Sequence, residues 1–321
     1  MSDPTLKFLV FAAFSAICLL AGYGLRRRGV MKEDWSRPIH LHTVIWIWSP
    51  ITLQAFWRLD LNAEFYVLLA LQPGLLLLGW ALAAWAGRLM RLPRESVGVL
   101  ILCAALSNQG FTLGAYLCYS IFTDGQMAMG YAIAIVTVMQ VLIVLIFYPV
   151  ARHYGPEDAV KLSKLIVGSF LDIRAAPLWA AVLGVGLNVS GMEFPTGIDE
   201  TPILDVGFFV GAIGSYLGIG LRLRIGDAAR YVGQHATLVA IKFLVMPAIV
   251  WAMLWGLHVT PVTLNPLMEK VMLISWSCPC AIAVVIIANL FHLNPRQASV
   301  MFLVNTALWL VLVLPVVLWL T

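Results

Sequence analysis

Ten stretches of mostly apolar residues follow one another along this chain, at 6–25, 39–57, 64–87, 96–121, 127–150, 173–190, 203–221, 231–256, 268–290 and 298–320. Each matches the roughly 20 residues that a helix needs to cross the hydrocarbon of a bilayer. No other feature restricts the fold as much, because lipid offers no partner to a loose N–H or C=O and the backbone must be satisfied from within. Charged residues make up 11% of the chain, against roughly 25% in soluble domains. The expectation is an all-α integral membrane protein of ten transmembrane helices lying in a lipid bilayer.

The first stretch is too long for the apolar part of a signal peptide, lacks a basic region before it, and is followed by Arg26, Arg27 and Arg28. It reads as a first span with its N-terminus outside. Sixteen Lys and Arg fall in the first, third, fifth, seventh and ninth loops; Lys7, Arg58 and Lys270 lie on the other side and Lys242 within a span. Basic residues collect on the cytoplasmic side, which predicts a multi-pass protein of the cell membrane with both termini extracytoplasmic. The spans leave over no domain for nucleotide binding and no Walker-type glycine loop, so ATP-driven work would need a partner protein. No Ser/His or paired-carboxylate arrangement occurs on the spans, and no HExxH motif. Neither an enzyme, a cofactor, a bound metal nor a nucleic-acid partner is expected. All five cysteines fall in apolar runs, which argues against a disulfide framework.

The chain also repeats itself. "GYGLRRRG" (22–29) parallels "GVGLNVSG" (184–191), each ending an apolar run. "PIHLHTVIWIWSPITLQAFWR" from Pro38 can be laid on "PILDVGFFVGAIGSYLGIGLR" from Pro202, and "LSNQG" (106–110) on "WSCPC" (276–280). Each repeat holds five spans, an odd number, so the halves would enter the membrane with opposite polarity, as in secondary transporters with a midplane site. The expected division is a first repeat at 1–150, a cytoplasmic connector at 151–167 and a second, inverted repeat at 168–321.

Both matched segments interrupt a span. Pro279 has no N–H and its ring clashes with the carbonyl of Ser275, so the second half-helix should begin with unpaired amides at Cys280 and Ala281. "SNQG" (107–110) brings polar side chains and a flexible Gly110 to the corresponding place. Irregular backbone at membrane depth persists only inside protein or beside a watery cavity. Two such breaks meeting would aim helix N-termini, with their partial positive charge, at one pocket that suits an anion. The plainer reading is a proline kink, with Asn108, Gln109 and Thr112 as interhelical glue.

The motifs "GYGLRRRG", "SNQGF" (107–111), "IKFLVMP" (241–247) and "VNTALWLVLVLP" (304–315) resemble those of the auxin efflux carrier family of permeases, within the bile/arsenite/riboflavin transporter superfamily. The resemblance covers nearly the whole chain. It implies two inverted five-span repeats with crossing, broken helices 4 and 9. It also implies a scaffold of spans 1, 2, 6 and 7, often dimeric and so a route to a homodimer, and a transport part of spans 3–5 and 8–10. Family members carry organic anions. By position, Asn108 and Gly110 match the family's Asn-x-Gly, Pro279 its span-9 proline, and Lys242 and Pro247 its Lys…Pro pattern. Ala115 stands where the family usually has proline, and cysteines flank the second break.

Lys242 is the one basic residue deep in a span, where a charge costs about 2.5–3.5 kcal/mol on insertion scales. It would neutralise an anionic substrate or shape the field at the crossing; alternatively its stem snorkels to an interface. Gln140, Asn305 and Thr306 are supporting polar candidates that serve either an ion or packing. His40, His42 and His235 are expected at interfaces. The function expected is secondary transport, by default efflux, of a small organic anion bound by Asn108, Gln109, Gly110, Thr112, Cys278, Pro279, Cys280 and Lys242. The alternatives are a soft-metal or metalloid carrier using Cys278 and Cys280, and a membrane sensor that transports nothing.

Overall fold

The computed structural model describes residues 4–58, 63–110, 113–156, 173–195, 197, 203–223, 225–259 and 264–320. Thr112 and most of the expected connector lie outside these. Among the described residues the chain is all helical. In order these are α1 (Pro4–Arg27), α2 (36–57), α3 (Ala63–Leu89), α4 (Arg94–Ala105), α5 (Gly114–Ile121), α6 (125–154), α7 (Ala176–Val189), α8 (Ile203–Arg222), α9 (232–257), α10 (Pro266–Ser277), α11 (Ile282–Leu290) and α12 (295–320). Among the described residues, four segments are long and apolar enough to cross a membrane by themselves: Ala70–Leu89, Met127–Tyr154, Gly226–Leu257 and Pro295–Trp319. The stretches expected at 96–121 and 268–290 are each two short helices, α4 and α5, and α10 and α11.

Four helices contain a wide π turn: α2 at Val44–Trp48, α6 at Ile143–Phe147, α9 at Ala240–Val245 and α12 at Trp309–Val313. Each is followed by a residue and then a proline: Pro50, Pro149, Pro247 or Pro315. The cause is steric. A proline ring inside a helix strikes the carbonyl four residues back and brings no N–H to it. Widening the preceding turn by one residue moves that carbonyl aside while the chain stays helical.

Helices α1, α2, α7 and α8 pack as one group, and glycines set how closely. A Cβ on Gly22 of α1 would collide with the Leu217 carbonyl of α8, and one on Gly220 of α8 with the Leu19 carbonyl of α1. On α8, Gly214 and Gly218 make room for Thr43 and His40 of α2, and Gly184 of α7 sits on Leu53 and Phe56 of α2. Lipid tails are as apolar as leucine, so helices associate here through close van der Waals contact, and small residues permit it. The remaining helices form a second group, in which α3 packs on α4 and α6, α9 on α10, and α11 on α12.

The repeated sequences "GYGLRRRG" and "GVGLNVSG" end their helices in the same way. Gly29 and Gly191 both adopt φ +72°. The Gly29 N–H donates to Arg26 and that of Val30 to Leu25; the Gly191 N–H donates to Asn188 and that of Met192 to Leu187. This is a Schellman cap, which needs a left-handed residue after the helix and takes glycine there. At the basic ends of α1, α8 and α12, Arg26, Arg222 and Arg296 converge on Glu33 at 4.0, 3.5 and 2.8 Å. His40 departs from the interfacial expectation. It is fully buried between α2, α8 and α11, with Nε2 on the Ser215 carbonyl at 3.1 Å and Nδ1 facing Asn289 Nδ2 at 3.2 Å.

Candidate functional site

The two breaks meet. After α4 the chain turns extended at Leu106 (φ −93°, ψ 118°), and after α10 it does so at Cys278 (ψ 150°) and Ala281 (ψ 152°). Ser107 and Cys280 then face each other as an antiparallel bridge, the one strand-like pairing among the described residues. The Asn108 N–H donates to the Pro279 carbonyl at 2.7 Å, and the Ala281 N–H to the Leu106 carbonyl at 2.9 Å. The Cys280 N–H donates to Asn305 Oδ1 of α12 at 2.8 Å. An unmet amide at this depth costs several kcal/mol, and these three bonds remove that cost.

One expectation is thereby corrected. Cys280 and Ala281 do not carry the free amides, because pairing with the first break keeps the chain extended for two residues beyond Pro279. Helix α11 starts at Ile282. Among the described residues no group accepts from the N–H of Ile282 or of Ala283, and the α11 N-cap residue, Ala281, has no side-chain cap. The amides without an acceptor among the described residues lie there.

Ile282 and Ala283 are among the residues that line a cavity of about 170 Å³ between the two helix groups. Asn108, Gln109 and Gly110 of the first break also line it, as do Gln140 and Thr137 of α6. Trp48 and Thr52 of α2 and Ser215 of α8 close it from the other group, with Ile133, Val136 and Ile286 among its apolar walls. Ionised side chains are absent from its lining. The size is close to that of an apolar cavity of about 150 Å³ that holds benzene, so a small ligand fits.

The other sequence candidates lie behind this surface. Cys278 and Cys280 are fully buried and unbridged, and neither they nor Pro279 line the cavity. Asn305 holds the second break, while the neighbouring Thr306 Oγ1 is buried without a partner among the described residues. Lys242 is also fully buried, so its stem does not snorkel to an interface. Its Nζ donates to Ser107 Oγ and lies 3.5 Å from the Leu106 carbonyl. A cation there sits at the C-terminal, partially negative end of α4. Ala115, at the position of the family's proline, uses its N–H on the Gly110 carbonyl at 3.0 Å, so the first break does not depend on proline.

Sequence reasoning did not single out Thr137, Trp48, Thr52 or Ser215. Thr137 carried a readable signal: it lies three residues before Gln140, hence on the same face of α6. Gln72 was likewise the lone amide in an apolar run, and it bonds Gln109 at 3.4 Å.

No curated protein sequence matches the chain significantly. The family described as "Membrane transport protein" matches residues 11–319. The chain is a multi-pass membrane protein and belongs to that family, the auxin efflux carrier-type transport proteins.

Proposed function

We propose that the protein is a secondary carrier of a small organic anion, bound where the two broken helices meet. The observation carrying this reading is that Ile282 and Ala283, whose N–H groups have no acceptor among the described residues, line the cavity. They begin a short helix whose dipole favours negative charge, and the cavity they share with Asn108 and Gln109 has no acidic side chain in its described lining. The apolar walls suit an anion with a small hydrocarbon body.

The wider architecture proposed is ten crossings in two inverted repeats, 1–150 and 168–321, joined by a connector at 151–167. The matching caps at Gly29 and Gly191 and the mutual pairing of the two breaks support it. The group α1, α2, α7 and α8 would be the scaffold, and the face through which a homodimer forms; the second group would move against it to give alternating access. The basic cluster around Glu33 supports placing those helix ends in the cytoplasm and both termini outside the cell membrane. An inside-negative potential drives an anion outward by about 2.3 kcal/mol per charge per 100 mV, so efflux needs no coupled ion. The soft-metal alternative is the weaker one, because no group of three or more His, Cys, Asp or Glu that could hold a metal occurs among the described residues.

The test is counterflow in proteoliposomes loaded with a panel of aliphatic and aromatic carboxylates. At least one should exchange, and Asn108→Ala should abolish most of that exchange. If none exchanges, the anion reading is wrong.

A further inference from the structure

Three buried side chains form a hydrogen-bonded series whose direction is fixed at one end. Trp276, in the last turn of α10, is fully buried, and its indole Nε1 can only donate. It donates to Gln72 Oε1 of α3 at 3.2 Å. With that oxygen engaged, Gln72 presents Nε2 to Gln109 Oε1, a long bond of 3.4 Å. Gln109 therefore turns its oxygen toward Gln72, and its Nε2 has no acceptor among the described residues. The two ends of an amide have nearly the same shape, so a glutamine alone does not define its own orientation. The indole does. Flipping Gln72 sets its NH2 against the indole N–H, and flipping Gln109 sets two NH2 groups face to face.

We propose that Trp276 and Gln72 are positioning residues that make Gln109 a hydrogen-bond donor toward the ligand. The pair would thereby select a carboxylate against a group that carries its own N–H donors. This rests on the reading of the cavity as an anion site. Gln109 lines that cavity together with Asn108, Ile282 and Ala283. A carboxylate accepts from both walls with its two oxygens. A carboxamide of the same shape offers one oxygen, and its NH2 meets either the Gln109 NH2 or the α11 amides.

The experiment compares benzoate with benzamide, and butyrate with butyramide, for binding to the purified full-length protein by titration calorimetry. The wild type should prefer each acid. Trp276→Phe keeps a ring but loses the donor, and Gln72→Met keeps length but loses both bonds. Each should lower the acid-to-amide affinity ratio about tenfold, the change expected on losing one hydrogen bond to a charged group. The double variant should fall no further than either single one, since both act through Gln109. Gln72→Glu, when ionised, still accepts from Trp276 but makes Gln109 donate to it, which turns the Gln109 oxygen outward and shifts preference toward the amides. A role in packing alone would lower both affinities and leave the ratio unmoved. An unchanged ratio in any variant of these that remains monodisperse overturns the proposal and leaves the anion site standing. Failure of the wild type to bind either acid overturns the anion site, and this proposal with it.

Discussion

Replacing Asn305 with leucine tests whether one side chain holds the second break. Asn305 is 1% exposed and its Oδ1 accepts the Cys280 N–H at 2.8 Å. Leucine keeps the volume and removes the acceptor. Two magnitudes compete. Interhelical hydrogen bonds in membranes average about 0.6 kcal/mol, because their partners find others in the unfolded state. A buried amide left with no acceptor costs about 1–3 kcal/mol. The second applies to the folded protein here: two carbonyls of the crossing already accept bonds, that of Pro279 from Asn108 and that of Leu106 from Ala281. One term opposes it. Asn305 Nδ2 is itself buried without a partner among the described residues, and leucine removes that unmet donor. The net loss therefore falls near the lower end, about 1 kcal/mol, or about 1–2 °C in melting temperature at roughly 2.1 cal/mol/K of unfolding entropy per residue over the 321-residue chain. The assay is thermal unfolding in one detergent at one scan rate, with hydrogen exchange read on peptides covering 279–285. Faster exchange at Cys280 should accompany the lower melting temperature. An Asn305→Leu protein that melts at or above the wild type, with unchanged exchange, would refute the reasoning.

Three further outcomes are expected. Gly22→Val should disrupt the contact of α1 with α8 and lower the melting temperature by several degrees, whereas Gly24→Val, two residues on with nothing within 4 Å, should change it little; equal effects would mean that α1 is not held by close approach. Lys242→Met removes a buried charge whose carbonyl neighbour, Leu106, keeps its bond from Ala281. Its stability should therefore hold or rise, while carboxylate counterflow falls at least tenfold; intact counterflow would show that the charge behind Ser107 does not serve the site. Cys278→Ser together with Cys280→Ser should keep most of that counterflow, because neither thiol reaches the cavity, and its loss would favour the soft-metal reading.

Local features of the fold were legible where one residue type forces one conformation. Pro279 and the "SNQG" segment located both interruptions, and the glycines at 29 and 191 marked two equivalent helix ends, because a ring without an N–H and a left-handed turn each have few structural solutions. The prolines at 50, 149, 247 and 315 carried the π turns just as plainly and went unread. What the sequence did not disclose depends on partners distant along the chain. Counting from Pro279 put the loose amides at Cys280 and Ala281, since nothing local reveals that Leu106 and Asn305 accept from them. The Trp276–Gln72 bond joins residues 204 positions apart, and neither residue shows alone that it orients Gln109. Lys242 was recognised as a costly charge, but its place behind Ser107, outside the cavity lining, follows only from the way α9 packs on the crossing.

The bridge between Ser107 and Cys280 also has a consequence for how the protein is made. A ribosome finishes the first interruption long before the second, whose bonding groups emerge more than half the chain later. Until then the Leu106 carbonyl and the Asn108 amide have no native acceptor or donor, and hydrocarbon supplies neither. The nascent N-terminal half must keep this segment against the insertion machinery, or in water, until α10–α12 arrive. A chain truncated after α6 is therefore expected to be held at the translocon or degraded rather than released into the bilayer.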